Sequence, residues 1–189
     1  PETRYCHEII AARRSWASVL EDAKARGELS LRTIHGDPKV NNIMICDRTG
    51  RAVGMVDLDT VKPGLIQYDL GDCLRSSCNL LGEETKDFED VHFETDLAKA
   101  ILKGYLSRAA AFLTRRDYAY IYTSVRLLAF EMGLRFFQDY LAGNVYFKVE
   151  HNEHNLERAI VQFKLLESIE AQKETILTLV DDLKADLKV

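Results

Sequence analysis

Apolar residues recur through the chain with two periods. From Tyr5 to Arg26, Ile9, Ile10, Trp16, Val19 and Leu20 stand among charges. That spacing predicts one or two amphipathic helices, ended by Gly27. Leu29 to Ile34 reads as a short strand. Ile43 to Cys46 and Ala52 to Val56 alternate as strands around Asp47-Arg48-Thr49-Gly50, the pattern of a β-hairpin. Pro63-Gly64 marks a turn. From Glu83 the period becomes helical, with Phe93, Leu97, Ile101 and Tyr105 four apart on one face. Asp117 to Leu141 is a second helical stretch, with Thr114 as its N-cap and Gly143 beyond its end. Asn155 to Lys188 predicts one long helix, or two broken near Ala171. Its apolar stripe runs through Leu156, Ile160, Phe163 and Leu166, then Ile176, Leu179, Val180 and Leu183.

These elements predict an α+β fold that is mainly α, in a single domain over residues 1–189. The length suffices for one core, and 47% apolar residues place the chain among globular proteins, not disordered ones. A net charge of −5 argues against nucleic acid as a partner. No apolar run approaches the roughly 20 residues that span a bilayer, so no membrane partner is expected. Pro1 opens on neither a basic start nor an apolar leader, and Cys6, Cys46, Cys73 and Cys78 lack paired metal spacing. Reduced thiols and a cytoplasmic location are the expectation. A first residue other than Met points to a fragment or a processed chain.

The candidate chemistry lies at the two ends of the hairpin. Ile34-His35-Gly36-Asp37-Pro38-Lys39-Val40-Asn41-Asn42-Ile43 precedes it, and Gly54-Met55-Val56-Asp57-Leu58-Asp59 closes it. The hairpin brings Asn42 and Asp57 together although they are distant in sequence. A carboxylate, a cation, an amide and a second carboxylate converging in one place suit metal-assisted phosphoryl transfer. One acid accepts a hydroxyl proton, the amide and the other acid hold Mg²⁺ against the phosphates, and the lysine offsets charge on the transferred group. Each residue also has a plainer reading: Asp37 as a turn aspartate before proline, Lys39 as a solvated surface lysine, Asn41-Asn42 as a turn pair.

His35, Asp37, Lys39 and Asn42 have the spacing of the protein-kinase catalytic loop H-R-D-x-K-x-x-N, and the stretch resembles that superfamily. Gly36 in the second position, and Val56-Asp57-Leu58-Asp59 in place of D-F-G, are similar to the aminoglycoside phosphotransferase and choline kinase branch. Further stretches resemble bacterial N-acetylhexosamine 1-kinases: Asp57-Leu-Asp-Thr-Val-Lys-Pro-Gly64, Tyr68-Asp-Leu-Gly-Asp72, Glu131-Met-Gly-Leu-Arg-Phe-Phe137, Gly143-Asn-Val-Tyr-Phe-Lys148 and His154-Asn-Leu-Glu-Arg158. The similarity runs from about Ile34 to Glu167.

The resemblance implies the helical C-terminal lobe of a kinase-like fold, with a small hairpin carrying the catalytic and metal-binding loops. It implies Asp37 as general base, Lys39 at the γ-phosphate, and Asn42 and Asp57 as Mg²⁺ ligands, with ATP as co-substrate. His35 would hold the loop through its backbone, though a proton shuttle is the other reading, and Asp69 would fasten the loop by hydrogen bonds. Arg135 and Tyr146 would contact the sugar; the alternatives are an ion pair from Arg135 to Asp139 or Glu131, and a core tyrosine. Asp59 reads as a carboxylate behind the metal or a second contact to it, and Asp72 and Arg75 stay open.

The segment before His35 is too short for a nucleotide-covering lobe, and no Gly-rich phosphate loop occurs anywhere. The expectation is a lobe that is inactive alone and partnered by a missing N-terminal lobe of the same protein. The function expected is ATP- and Mg-dependent phosphorylation of a sugar, at the anomeric hydroxyl of an N-acetylhexosamine. A kinase for another small alcohol (aminoglycoside, choline, homoserine) is one alternative, and a non-catalytic kinase-like binding module is another.

Overall fold

A computed structural model describes residues 1–187. The expected helix end at Lys188, and Val189, lie outside the described residues. Helices α1 (Glu2–Arg13) and α2 (Val19–Ala25) open the chain, joined by a 3₁₀ turn at Arg14–Trp16. Strands β1 (Arg32–Ile34), β2 (Ile43–Ile45), β3 (Ala52–Met55) and β4 (Lys62–Gly64) follow. Then come α3 (Ile66–Ser77), α4 (Thr95–Ala109), α5 (Arg115–Ala119), α6 (Ile121–Leu141), α7 (His154–Ala171) and α8 (Lys173–Leu187). This is the expected mainly helical α+β architecture.

The strands form two antiparallel pairs, one nested inside the other. β2 pairs with β3, with a register shift between Met44 and Ile45. Outside that hairpin β1 pairs with β4, placing Arg32 opposite Gly64 and Ile34 opposite Lys62. Pro63 therefore sits in a strand, not in the expected turn. A two-stranded sheet is all edge, so its missing N–H breaks no interior ladder.

The core lies between α3, α6 and α7, with α1, α4 and α8 packed around it. Along α6 and α7, Val125, Leu127, Phe130, Phe137, Leu166 and Ile169 are buried at helical spacing. α3 and α6 approach closely: a Cβ on Gly71 would stand 2.7 Å from the Ser124 carbonyl oxygen. The final helical stretch breaks after Ala171, as its pattern predicts.

Two helical expectations shift. Residues 83–94 contain only one 3₁₀ turn, and α4 begins at Thr95. Phe93 is buried just before the helix, and the helix buries Ala98, Leu102, Leu106 and Ala109, one position round from the expected stripe. Thr114 is an N-cap as expected, but of the short α5. Its hydroxyl accepts from the Asp117 N–H at 3.2 Å, and Asp117 Oδ2 accepts from the Thr114 N–H at 2.7 Å. α6 starts afresh after Tyr120. Asp117 also accepts from Gln67 Nε2 at 3.0 Å, tying α3 to α5. Among the described residues no helix is long and apolar enough to cross a membrane.

Candidate active site

Strand β1 ends at Ile34 and hands the chain to a loop held almost entirely through its backbone. Gly36 has φ +88°, and a Cβ there would stand 2.8 Å from the Thr60 carbonyl oxygen. Only glycine meets both demands without strain. The Thr60 hydroxyl donates to the His35 carbonyl at 2.6 Å. Asp69, in the first turn of α3, accepts the His35 N–H at 2.7 Å and the Gly36 N–H at 2.8 Å. The buried His35 ring donates from Nε2 to the Val56 carbonyl at 3.1 Å. Its Nδ1 accepts the Asp37 N–H at 3.3 Å. A carbonyl can only accept and an amide can only donate, so the two contacts fix the ring proton on Nε2. In this arrangement His35 has no proton to pass towards Asp37; it braces the loop against the hairpin.

Asp37, Lys39 and Asn42 meet directly. Lys39 Nζ lies 2.7 Å from Asp37 Oδ2, and Asn42 Nδ2 donates to the same oxygen at 3.1 Å and to the Asp37 carbonyl at 2.8 Å. Asp37 Oδ1 has no hydrogen-bond partner among the described residues, so one carboxylate oxygen is tethered and the other is open. Both partners of Asn42 Nδ2 are acceptors, which turns the buried amide so that its Oδ1 faces elsewhere, without a hydrogen-bond partner among the described residues. The Val56 N–H donates to the Asn42 carbonyl at 2.9 Å. That bond sets Asp57 beside Asn42 at the mouth of the hairpin. Asp57 has φ 62° and ψ 58°, a left-handed conformation that turns the chain sharply out of β3.

Lys39 reports the charge gathered here. Its ammonium is held above the ordinary lysine range, first by its bond to Asp37 and then by the fields of Asp37, Asp57 and Asp72, against partial burial. No group of three or more His, Cys, Asp or Glu among the described residues is arranged to hold a metal ion unaided. Asn42 Oδ1 and the Asp57 carboxylate are hard oxygen donors at one edge. They suit Mg²⁺, which keeps several positions for phosphate oxygens and water. The exposed Asp59 has no hydrogen bond or ion pair among the described residues.

Arg135 and Tyr146 form a second group, with no hydrogen bond or ion pair to the loop among the described residues. Arg135 Cζ stands 5.8 Å from the Tyr146 ring centroid and 5.3 Å from that of Phe147. With Gln138, Asp139 and Ala142 they line an open cleft of roughly 330 Å³. Neither ion pair considered for Arg135 forms. Asp139 instead accepts backbone N–H groups of the 143–147 loop, and burial raises the Glu131 pKa while Arg135 acts to lower it. Tyr146 is 75% exposed, so it is not a core residue. Asp72 and Arg75 pair with each other: Arg75 Nε and Nη2 reach Asp72 Oδ1 at 2.9 and 2.7 Å, and Nη1 reaches Gln162 at 3.2 Å.

A family model described as the phosphotransferase enzyme family matches residues 2–120. The chain belongs to that family. It is a small-molecule phosphotransferase of the kinase-like kind, and its matched part contains Asp37, Lys39, Asn42 and Asp57. Arg135 and Tyr146 lie beyond the match, on α6 and the loop after it. Thr60 and Asn155 were not singled out from the sequence, and Asp139 entered it only as a possible ion-pair partner of Arg135, although each holds a loop of one of the two groups. Thr60 and Asn155 fall inside quoted motifs; Asp139 follows one by two residues.

Proposed function

We propose that this chain is the catalytic and acceptor-binding lobe of a kinase that transfers the γ-phosphoryl group of ATP to the anomeric hydroxyl of an N-acetylhexosamine. The observation that carries the reading is the state of Asp37. Its Oδ2 is fixed by Lys39 and Asn42, while its Oδ1 is open to a hydroxyl. The acceptor oxygen attacks the γ-phosphorus and the bond to the β–γ bridging oxygen breaks. The acceptor proton moves to Asp37 Oδ1. Lys39 moves from its carboxylate partner towards the transferred group. Asn42 Oδ1 and Asp57 would hold Mg²⁺. Bound there, the ion would supply charge neutralisation on the phosphate oxygens.

Arg135 and Tyr146 position the sugar. A guanidinium with no ion-pair partner among the described residues disfavours a cationic acceptor and suits the oxygens of a neutral hexosamine. Transfer requires a nucleotide-covering lobe, and the exposed apolar hairpin side chains Met44, Ile45, Val53 and Met55 offer it a surface. Residues 1–189 by themselves should show little turnover.

The test is a radiolabelled-ATP assay of the full-length protein against neutral N-acetylhexosamines, choline and kanamycin. Labelled hexosamine 1-phosphate is the expected product. Transfer to choline or kanamycin in preference to every hexosamine would overturn the acceptor. Calorimetry showing no Mg-dependent ATP binding would favour a non-catalytic module. Normal turnover by residues 1–189 alone would overturn the requirement for a second lobe.

A further inference from the structure

The loop that follows α6 is built around one buried carboxylate. Asp139, in the last turn of that helix, is 6% exposed. Its Oδ1 accepts the Val145 N–H at 3.0 Å and the Tyr146 N–H at 2.8 Å, and its Oδ2 accepts the Phe147 N–H at 2.9 Å. Three successive backbone amides facing one anion form a nest, and here the anion belongs to the protein itself. Asn155, in the first turn of α7 and fully buried, donates from Nδ2 to Asp139 Oδ2 at 2.8 Å and to Asn144 Oδ1 at 3.0 Å. Gly143 and Asn144 take φ +89° and +59°, which folds the loop back over the helix end.

The clamp's purpose is visible in what it displays. The Phe147 ring lies 4.7 Å from that of the buried Phe136. Tyr146 stands edge-on to Phe147 at 4.8 Å, and Arg135 extends beside both rings. An aromatic residue as exposed as Tyr146 contributes little to a core, yet its backbone N–H is pinned to a buried charge. A carboxylate at a helix C-terminus also meets the negative end of the dipole. Such a placement costs the helix something, and the loop amides compensate for it.

We propose that Asp139, backed by Asn155, is a positioning residue of the acceptor site: it fixes residues 145–147 so that Arg135, Tyr146 and Phe147 present one prearranged face to the hexosamine. The proposal rests on the acceptor reading given above for the identity of the ligand, and on the hydrogen bonds for the clamp. Both Asp139 oxygens are taken up by the loop amides and Asn155, so it acts through the loop. Prearrangement lowers the ordering cost of binding, so its loss falls on acceptor affinity and not on the chemical step.

Two variants of the full-length protein test this. Asp139→Asn replaces an acceptor oxygen by an NH₂ group that faces donors, and Asn155→Ala removes the backing donor more gently. Both should speed amide exchange at residues 145–147. Both should raise KM for the hexosamine at least five-fold, with kcat and KM for ATP changed less than two-fold. Asp139→Glu, which keeps two acceptor oxygens, should recover part of the loss. Faster loop exchange with an unchanged sugar KM would overturn the proposal, as would unaltered exchange in both variants. A fall in kcat with constant KM would also overturn it. If Asp139→Asn does not fold, Asn155→Ala decides by the same readings. A wild-type protein that binds ATP but phosphorylates no hexosamine would sink the acceptor reading instead. Chemical-shift changes at Tyr146 and Arg135 on adding choline or kanamycin, lost in Asn155→Ala, would then uphold the clamp, and their persistence there would overturn it.

Discussion

Residues 32–64 and the α6–α7 region hold their functional side chains by different means. In the first, Val40, Met44, Ile45, Val53, Met55 and Leu58 are all exposed, and the strands are three or four residues long. The loop keeps its shape through directed bonds: Asp69 to two amides, Thr60 to one carbonyl, the His35 ring to both sides. In the second, large apolar side chains are buried along both helices, and the displayed loop is held by a carboxylate. An aspartate on a neighbouring helix thus fastens each loop. Asp69 sits in a first turn, where the helix dipole favours a negative charge; Asp139 sits in a last turn, where it does not, and takes three amides instead of two. Burial fixes where a helix lies, and a multiply bonded carboxylate fixes how a loop leaves it.

Four experiments would break or sharpen that contrast. Asp37→Asn removes the open carboxylate oxygen at the exposed loop and should lower kcat by ~10²–10⁴-fold with acceptor binding retained, measured in a coupled kinase assay. A variant as fast as wild type would remove the loop from the chemistry. Gly36→Ala strains the backbone and meets Thr60, so urea unfolding should register a loss of about 1–3 kcal/mol. An unchanged midpoint would mean that the loop tolerates slack its bonds do not suggest.

On the packed side, Arg135→Ala should raise KM for the hexosamine about ten-fold, the effect of losing ~1.4 kcal/mol, and leave the fold intact. The smallest effect is acid sensitivity of the second loop. Burial acts to raise the Asp139 pKa, but the Phe147, Tyr146 and Val145 amides and Asn155 together hold it below the ordinary value of 3.8. The ionised form is thus favoured in the folded loop. The clamp is at full strength above the ordinary value and is lost as pH falls through the depressed one. Exchange protection at residues 145–147 should be flat from neutrality to about pH 4 and decline below it. A decline that begins near neutrality would assign the loop to some other group.

Much of this was legible in the chain. The hairpin, the Asn42–Asp57 juxtaposition, the Thr114 cap and the break after Ala171 follow from local chemistry: alternation, turn residues, capping spacing and apolar period. Strand β4 was hidden because Pro63-Gly64 carries turn composition, and its pairing with β1 depends on a contact across the whole hairpin. The α4 stripe was misplaced by one position because Phe93 and Tyr105 carry a strong apolar signal, while the buried Ala98 and Ala109 carry a weak one. Asp139 entered only as one of two alternative ion-pair partners, with Glu131, for Arg135 four residues earlier. Its real partners are backbone amides, which every sequence contains and none displays. Directed bonds to main chain are the least visible part of a site, and both loops here depend on them.

The nesting of the two strand pairs has a further consequence. Because Arg32 lies opposite Gly64, the chain enters and leaves the reactive segment at points one strand spacing apart, about 4.8 Å. The segment is closed at its base like a drawstring bag. Its length and side chains can vary without moving the ends that join it to the helices. An exchange of residues 32–64 between relatives would be a graft with two adjacent stitches, and the helical body beneath would keep its packing.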